Sequence, residues 1–92
     1  MTIDVMAVAE PGGWTAVVTV RHGTTTTHRV RVSADEHRRY GGGDVTDLVR
    51  RSFDFLLTRE ANTSILREFS LADIERYFPE YPVTIKRAAK RD

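Results

Sequence analysis

The stretch DVTDLVRRSFDFLLTRE, residues 44–60, decides the fold. Asp44 stands just before an apolar-periodic run and reads as a helix N-cap, with Asp47 favouring the positive helix end. At about 100° per residue, Val45, Leu48, Val49, Ser52, Phe53, Phe55, Leu56 and Leu57 cover an arc of about 200°. Asp47, Arg50, Arg51, Asp54 and Thr58 fill the remainder. Asp47 with Arg51, and Arg50 with Asp54, are opposite charges four apart. The apolar arc is wider than one sheet face needs, so a helix over 44–60 is expected to be covered from two sides.

The upstream residues supply the first cover. Ile3, Val5 and Ala7 alternate with Asp4, Met6 and Val8, which predicts a strand. Pro11-Gly12-Gly13 is a turn signal. Trp14, Ala16, Val18 and Val20 alternate with Thr15, Val17, Thr19 and Arg21, a second strand. His22 to Thr26 reads as a loop. His28, Val30 and Val32 against Thr27, Arg29 and Arg31 make a third strand, completing a three-stranded antiparallel meander. Face-matching sets Val18 opposite Val30, Val20 opposite His28, Thr19 opposite Arg29 and Arg21 opposite Thr27. One face is then apolar, with Trp14 as its anchor. The other is wet and basic, carrying Arg21, Arg29 and Arg31 among threonines, with Val17 as an apolar exception.

Ser33 with Glu36 fits a capping box and opens a short helix running to about Tyr40. Gly41-Gly42-Gly43 ends it as a flexible joint.

The second cover comes from downstream. Ile65, Leu66, Phe69, Leu71, Ile74 and Phe78 are its candidates. Ser70 with Asp73 is another capping box, so a short helix is expected over 71–78, with Leu71, Ile74, Tyr77 and Phe78 on one stripe and Pro79 as its stop. Residues 64–69 fit either a helical turn or an extended segment. Val83-Thr84-Ile85 suggests a small strand, and Ala88 to Asp92 a frayed basic tail. The expected fold is therefore α+β. A three-stranded antiparallel meander packs against one long helix and is closed by one or two short C-terminal helices, with a single domain over 1–82 and a tail over 83–92.

Ninety-two residues bury roughly 60–65% of the unfolded chain's surface, enough for one modest core. Hydrophobic content of 40% with 29% charged residues places the chain among globular rather than disordered sequences. The absence of cysteine removes disulfides, thiolate metal sites and cysteine nucleophiles. No basic n-region with an apolar run opens the chain, and no apolar stretch approaches ~18 residues, so a cytoplasmic location off the membrane is expected. Asn62-Thr63-Ser64 matches a glycosylation sequon without a secretory context. Basic and acidic side chains number five and four over 1–43, five and seven over 44–77, and four and two over 78–92. That near-balance is not the profile of a dedicated nucleic-acid binder.

The motif Phe53-x-Phe55-Leu56-Leu57-x-Arg59-Glu60, then Asn62-Thr63-Ser64-Ile65-Leu66-x-x-Phe69-x-Leu71-x-x-Ile74-x-x-Tyr77-Phe78-Pro79-Glu80-Tyr81, resembles a family of small uncharacterised bacterial proteins. The likeness covers residues 44–82, and the N-terminal strands in pattern. It implies a fold and a bacterial source, and no catalytic residues. A fainter likeness is to HicB-type antitoxins, which run hairpin strands into a helix after a Gly-Asp-rich turn, here Gly43-Asp44-Val45-Thr46-Asp47-Leu48. The segment 64–82 departs from that pattern.

No catalytic constellation emerges. His22, His28 and His37 lack metal-ligand spacing and read as surface histidines. Gly41 to Gly43 is followed by Asp44, which repels phosphate. Asp35, Glu36 and His37 read as a solvated helix face rather than an acid–base site. Asp73 and Glu75, two apart on a helix, diverge. The expected function is a non-enzymatic protein-interaction module with no cofactor and an unidentified protein partner. Its simplest form is a homodimer through the exposed edge of the first or third strand. Tyr77, Glu80 and Tyr81 are the candidate contacts, with the Pro-Glu-Tyr-Pro exit left over for recognition. The alternative is nucleic-acid binding, or antitoxin-like regulation, through Arg21, Arg29 and Arg31 joined by Arg38 and Arg39. That face has no aromatic to stack a base.

Overall fold

The computed structural model describes residues 1–89. It is α+β, with a four-stranded mixed sheet and four helices. The strands are β1 (Thr2–Glu10), β2 (Gly13–His22), β3 (Thr24–Ser33) and β4 (Glu68–Ser70), in spatial order β1-β2-β3-β4. The helices are α1 (Ala34–Arg39), α2 (Val45–Leu57), α3 (Leu71–Tyr77) and α4 (Tyr81–Ala89), with a 3-10 turn over Asn62–Ser64. No helix among the described residues is long and apolar enough to cross a membrane.

The meander forms, but its second turn is tighter than expected. The loop predicted over His22 to Thr26 is strand, with only Gly23 between β2 and β3. Gly23 takes φ +73°, a left-handed conformation that L side chains rarely adopt. The chain reverses there, and the β-branched threonines behind it continue the ladder. Val18 consequently pairs with His28 rather than Val30, Thr19 with Thr27, and Arg21 with Thr25. The slip from the expected register is two residues. An even slip keeps every side chain on its face, so the apolar inner face survives.

Downstream, the ambiguity over 64–69 resolves in favour of the extended alternative, with a 3-10 turn over Asn62–Ser64 just before it. The 3-10 turn ends at Ser64, and the chain then extends into β4, which joins β3 in parallel. Phe69 lies beside Val30, and Arg29 N–H donates to Arg67 O at 2.6 Å. The expected three-stranded sheet is thus corrected to four. The edge of the third strand, proposed as a docking edge, is occupied by β4. The open edge is β1.

The helix caps follow their sequence signals. Ser33–Glu36 and Ser70–Asp73 form reciprocal capping boxes, and Asp44 accepts from Asp47 N–H at 3.1 Å. Gly41, Gly42 and Gly43 all take positive φ between α1 and α2. α2 stops at Leu57 rather than Glu60. Arg59 turns back to stack its guanidinium 3.7 Å from the Phe55 ring centre.

The expected two-sided cover of α2 is present. Leu48, Val49, Phe53 and Leu56 join the buried inner-face residues of the sheet in one core. Phe55 and Ser52 meet the C-terminal residues instead: the Phe55 ring lies 5.3 Å from Tyr81 and 5.8 Å from Phe78. Much of this cover is α4, where a strand and a tail were expected. Val83-Thr84-Ile85 is helical, and Ile85 is buried in the core. Pro82 occupies the first turn, where its missing N–H costs nothing, and Tyr81 and Ile85 fall four apart on one face. Those two anchors override the strand preference of Val-Thr-Ile. The domain therefore includes α4 instead of ending at residue 82. Of the expected tail, residues 90–92 lie outside the described residues.

Candidate functional site

The expected recognition residues separate. Tyr81 is 0% exposed and offers nothing to a partner, which corrects its assignment as a contact. Its hydroxyl lies 2.7 Å from that of Ser52, and its ring 4.9 Å from Tyr40. Tyr40 is also buried and donates to Glu75 Oε1 at 2.8 Å, while Glu75 Oε2 accepts from Arg39 at 2.7 Å. Burial raises the pKa of both phenols well above the usual tyrosine range, and for Tyr40 the Glu75 carboxylate raises it further. This cluster ties α1, α2, α3 and α4 together, a structural role.

Glu80 is exposed and pairs with Arg59 at 3.3 Å. Tyr77 is 70% exposed and does not share the buried stripe of α3. Helical geometry puts it roughly 120° round from Leu71 and 60° from Ile74, which carries the ring out of the core.

Tyr77 stands instead at the rim of an apolar groove of about 230 Å³. The groove runs between the end of α2 and the segment 64–78. Leu56, Ile65, Phe69, Ile74 and Phe78 floor it, and Leu66 rises beside it at 52% exposure. Two carboxylates reach it. Asp73 is committed to capping Ser70 and stands 3.6 Å from Arg76, whereas Glu60 has no ion-pair partner among the described residues. The volume is below the ~300 Å³ at which small-molecule sites begin, and suits one or two apolar side chains. A shallower depression of about 460 Å³ lies around Trp14 and Arg31. Both its carboxylates are already engaged: Glu36 accepts from Ser33 N–H and Ala72 N–H, and Glu10 from the Thr15 hydroxyl.

The arginines do not assemble as one patch. Arg21 is ion-paired with Asp4, and Arg38 with Asp35. Arg38 and Arg39 belong to α1, where His37 stacks 4.8 Å from Trp14 on the inner side of the sheet, so they do not join the outer face. Arg29 and Arg31 remain there, both exposed, with Glu68 beside Arg29 in the ladder.

Of the histidines, His28 is buried at 2% exposure, correcting its reading as a surface residue. Nδ1 lies 2.8 Å from Leu66 O and Nε2 2.9 Å from Thr26 Oγ1, and the ring packs 5.3 Å from Phe53. Its place in the inward row His28, Val30, Val32 was the signal for this. Trp14, expected as the core anchor of the sheet, is only half-buried. No group of three or more metal-ligating side chains comes together among the described residues.

No family model, curated protein or solved structure matches the chain.

Proposed function

We propose that the chain is a small cytoplasmic, non-enzymatic protein-interaction module of the bacterial kind that the motif over 53–81 suggests. Its docking site is the groove over 56–78. The observation that carries the reading is the exposure of Leu66 and Tyr77, at 52% and 70%, beside an apolar floor already shaped for a side chain. Exposed large apolar residues at the rim of a cleft mark interaction sites. The carboxylate of Glu60 selects among partners, favouring a short segment whose apolar residue is flanked by Lys or Arg.

Peptides with a central Leu or Phe flanked by lysines, titrated into labelled protein and followed by amide shifts, test it. Saturable shifts confined to 56–78, weakened at least ~10-fold by Leu66→Asp, are expected. No saturable binding at ~1 mM, or equal binding by Leu66→Asp, would overturn it.

A second reading, nucleic-acid binding, is favoured only by Arg29 and Arg31 standing exposed two residues apart on β3. Two phosphate contacts give a log–log salt slope of about −2. A slope near zero, or no binding at low salt, removes this alternative.

A further inference from the structure

The two edges of the sheet are unlike. One is β4, three residues long. The other is β1, nine residues long, with no neighbour on its free side among the described residues. β1 has no Pro, no Lys or Arg and no bulge in its pairing with β2, and its only charges are Asp4 and, at its end, Glu10. Met6 and Val8 are 71% and 61% exposed on its outer face, and Val17 lies beside Met6. On the inner face Ile3, Val5 and Ala7 are only half-buried.

We propose that β1 pairs antiparallel with β1 of a second copy about a two-fold axis at Met6, giving a continuous eight-stranded sheet. This goes beyond the groove reading and uses a different surface. A two-fold axis normal to the sheet keeps both outer faces on one side, so outer residues must oppose outer residues. An axis at Met6 sets Met6 against Met6, Val5 against Ala7, Ile3 against Ala9 and Thr2 against Glu10. On the inner face each branched side chain then meets an alanine, in both directions. Asp4 falls opposite Val8, with its carboxylate drawn toward Arg21 on β2. Moving the axis to Ala7 opposes Asp4 and Glu10, two like charges. Moving it to Val5 leaves Ala9 and Glu10 without partners in the strand, whereas the axis at Met6 uses all nine residues.

A nine-residue strand is about 30 Å long. Pairing along it, with a side-chain row on each face, buries on the order of 1,000 Å² in total, the low end of specific interfaces. α2 packs chiefly on β1 and less on β2, so pairing along β1 also brings the two copies' α2 helices together over the seam.

Sedimentation equilibrium from about 1 μM to about 1 mM should give a concentration-dependent dimer. Met6→Lys should weaken it at least ~10-fold with an unchanged far-UV spectrum, since Met6 is exposed in the single chain. The chain has no cysteine, so single-cysteine variants report the register cleanly. Met6→Cys alone should oxidise to a linked dimer, its Cα atoms being about 4.5–5.5 Å apart. Asp4→Cys and Val8→Cys should link with each other when mixed, and neither with itself. A monomer throughout overturns the proposal and leaves the edge to a foreign strand. So does a dimer indifferent to Met6→Lys, or one that Met6→Cys fails to link.

Discussion

The hydroxyls of Ser52 and Tyr81 stand 2.7 Å apart in the core, 29 residues apart in the chain. Ser52 has one proton, which it donates to Leu48 O at 2.8 Å, so Tyr81 is the donor of the pair. Removing the acceptor leaves a buried phenol unsatisfied, at about 1–3 kcal/mol. Removing the donor loses only the net bond, about 0.5–1.5 kcal/mol. Ser52→Ala should therefore destabilise more than Tyr81→Phe in urea unfolding, even after the ~0.5 kcal/mol that Ala gains in a helix. The reverse order would mean that Ser52 donates to Tyr81.

Tyr40 and Tyr81 hold their protons more tightly folded than unfolded. Their contribution to stability is complete below the unfolded tyrosine pKa of about 10, and is lost as pH rises from there toward the folded values. Urea midpoints should fall steadily above about pH 10, and less steeply in Tyr40→Phe. A midpoint flat through that window would count against protonation-linked burial of the pair.

Asn62 is 3% exposed and donates to Thr24 O at 2.7 Å and Thr26 Oγ1 at 3.2 Å. It fastens the 3-10 turn to the start of β3, beside the His28 network. Asn62→Ala should cost about 2 kcal/mol, with amide exchange rising first between residues 24 and 28. Uniform loss of protection would instead mean that Asn62 supports the whole core. The same burial keeps the Asn62-Thr63-Ser64 sequon from acting as a glycan acceptor in the folded chain.

Gly12 and Gly13 fail differently on substitution. A Cβ on Gly13 would stand 2.1 Å from Val32 O, a backbone atom that cannot swing aside. A Cβ on Gly12 meets nothing within 4 Å, but the residue sits at φ +85°. Gly12→Ala should cost about 1–2 kcal/mol of left-handed strain, and Gly13→Ala more, because β2 and β3 must separate. Thermal midpoints separated by several degrees in that order are expected, at about 4–8 °C per kcal/mol for a domain of this size. Equal midpoints would contradict the close approach at Gly13.

Much of the frame was legible because its causes are local. Ser33–Glu36, Asp44 and Ser70–Asp73 each satisfy helix-end N–H groups within three residues, so their spacing alone places the helix starts. Alternation in residues 3–8, 14–21 and 27–32 marks inner and outer faces whatever the register, and the faces held when the register slipped by two. The breadth of the apolar arc on α2 required a second cover without saying which residues supplied it. The groove was not legible, since it opens between the end of α2, at Leu56, and the segment carrying Ile65, Phe69, Ile74 and Phe78, whose relative placement is tertiary.

What the sequence alone determined is a cysteine-free α+β domain with capped helices and a two-sided central helix. Only the tertiary structure decided the one-residue turn at Gly23, the parallel β4, and the burial of His28 and Tyr81. It likewise decided which sheet edge stays open. Each of these depends on partners far apart in the chain: His28 with Leu66, Arg29 with Arg67, Tyr81 with Ser52. Local periodicity tells a side chain which way to face. It carries no record of which distant group will be there to meet it.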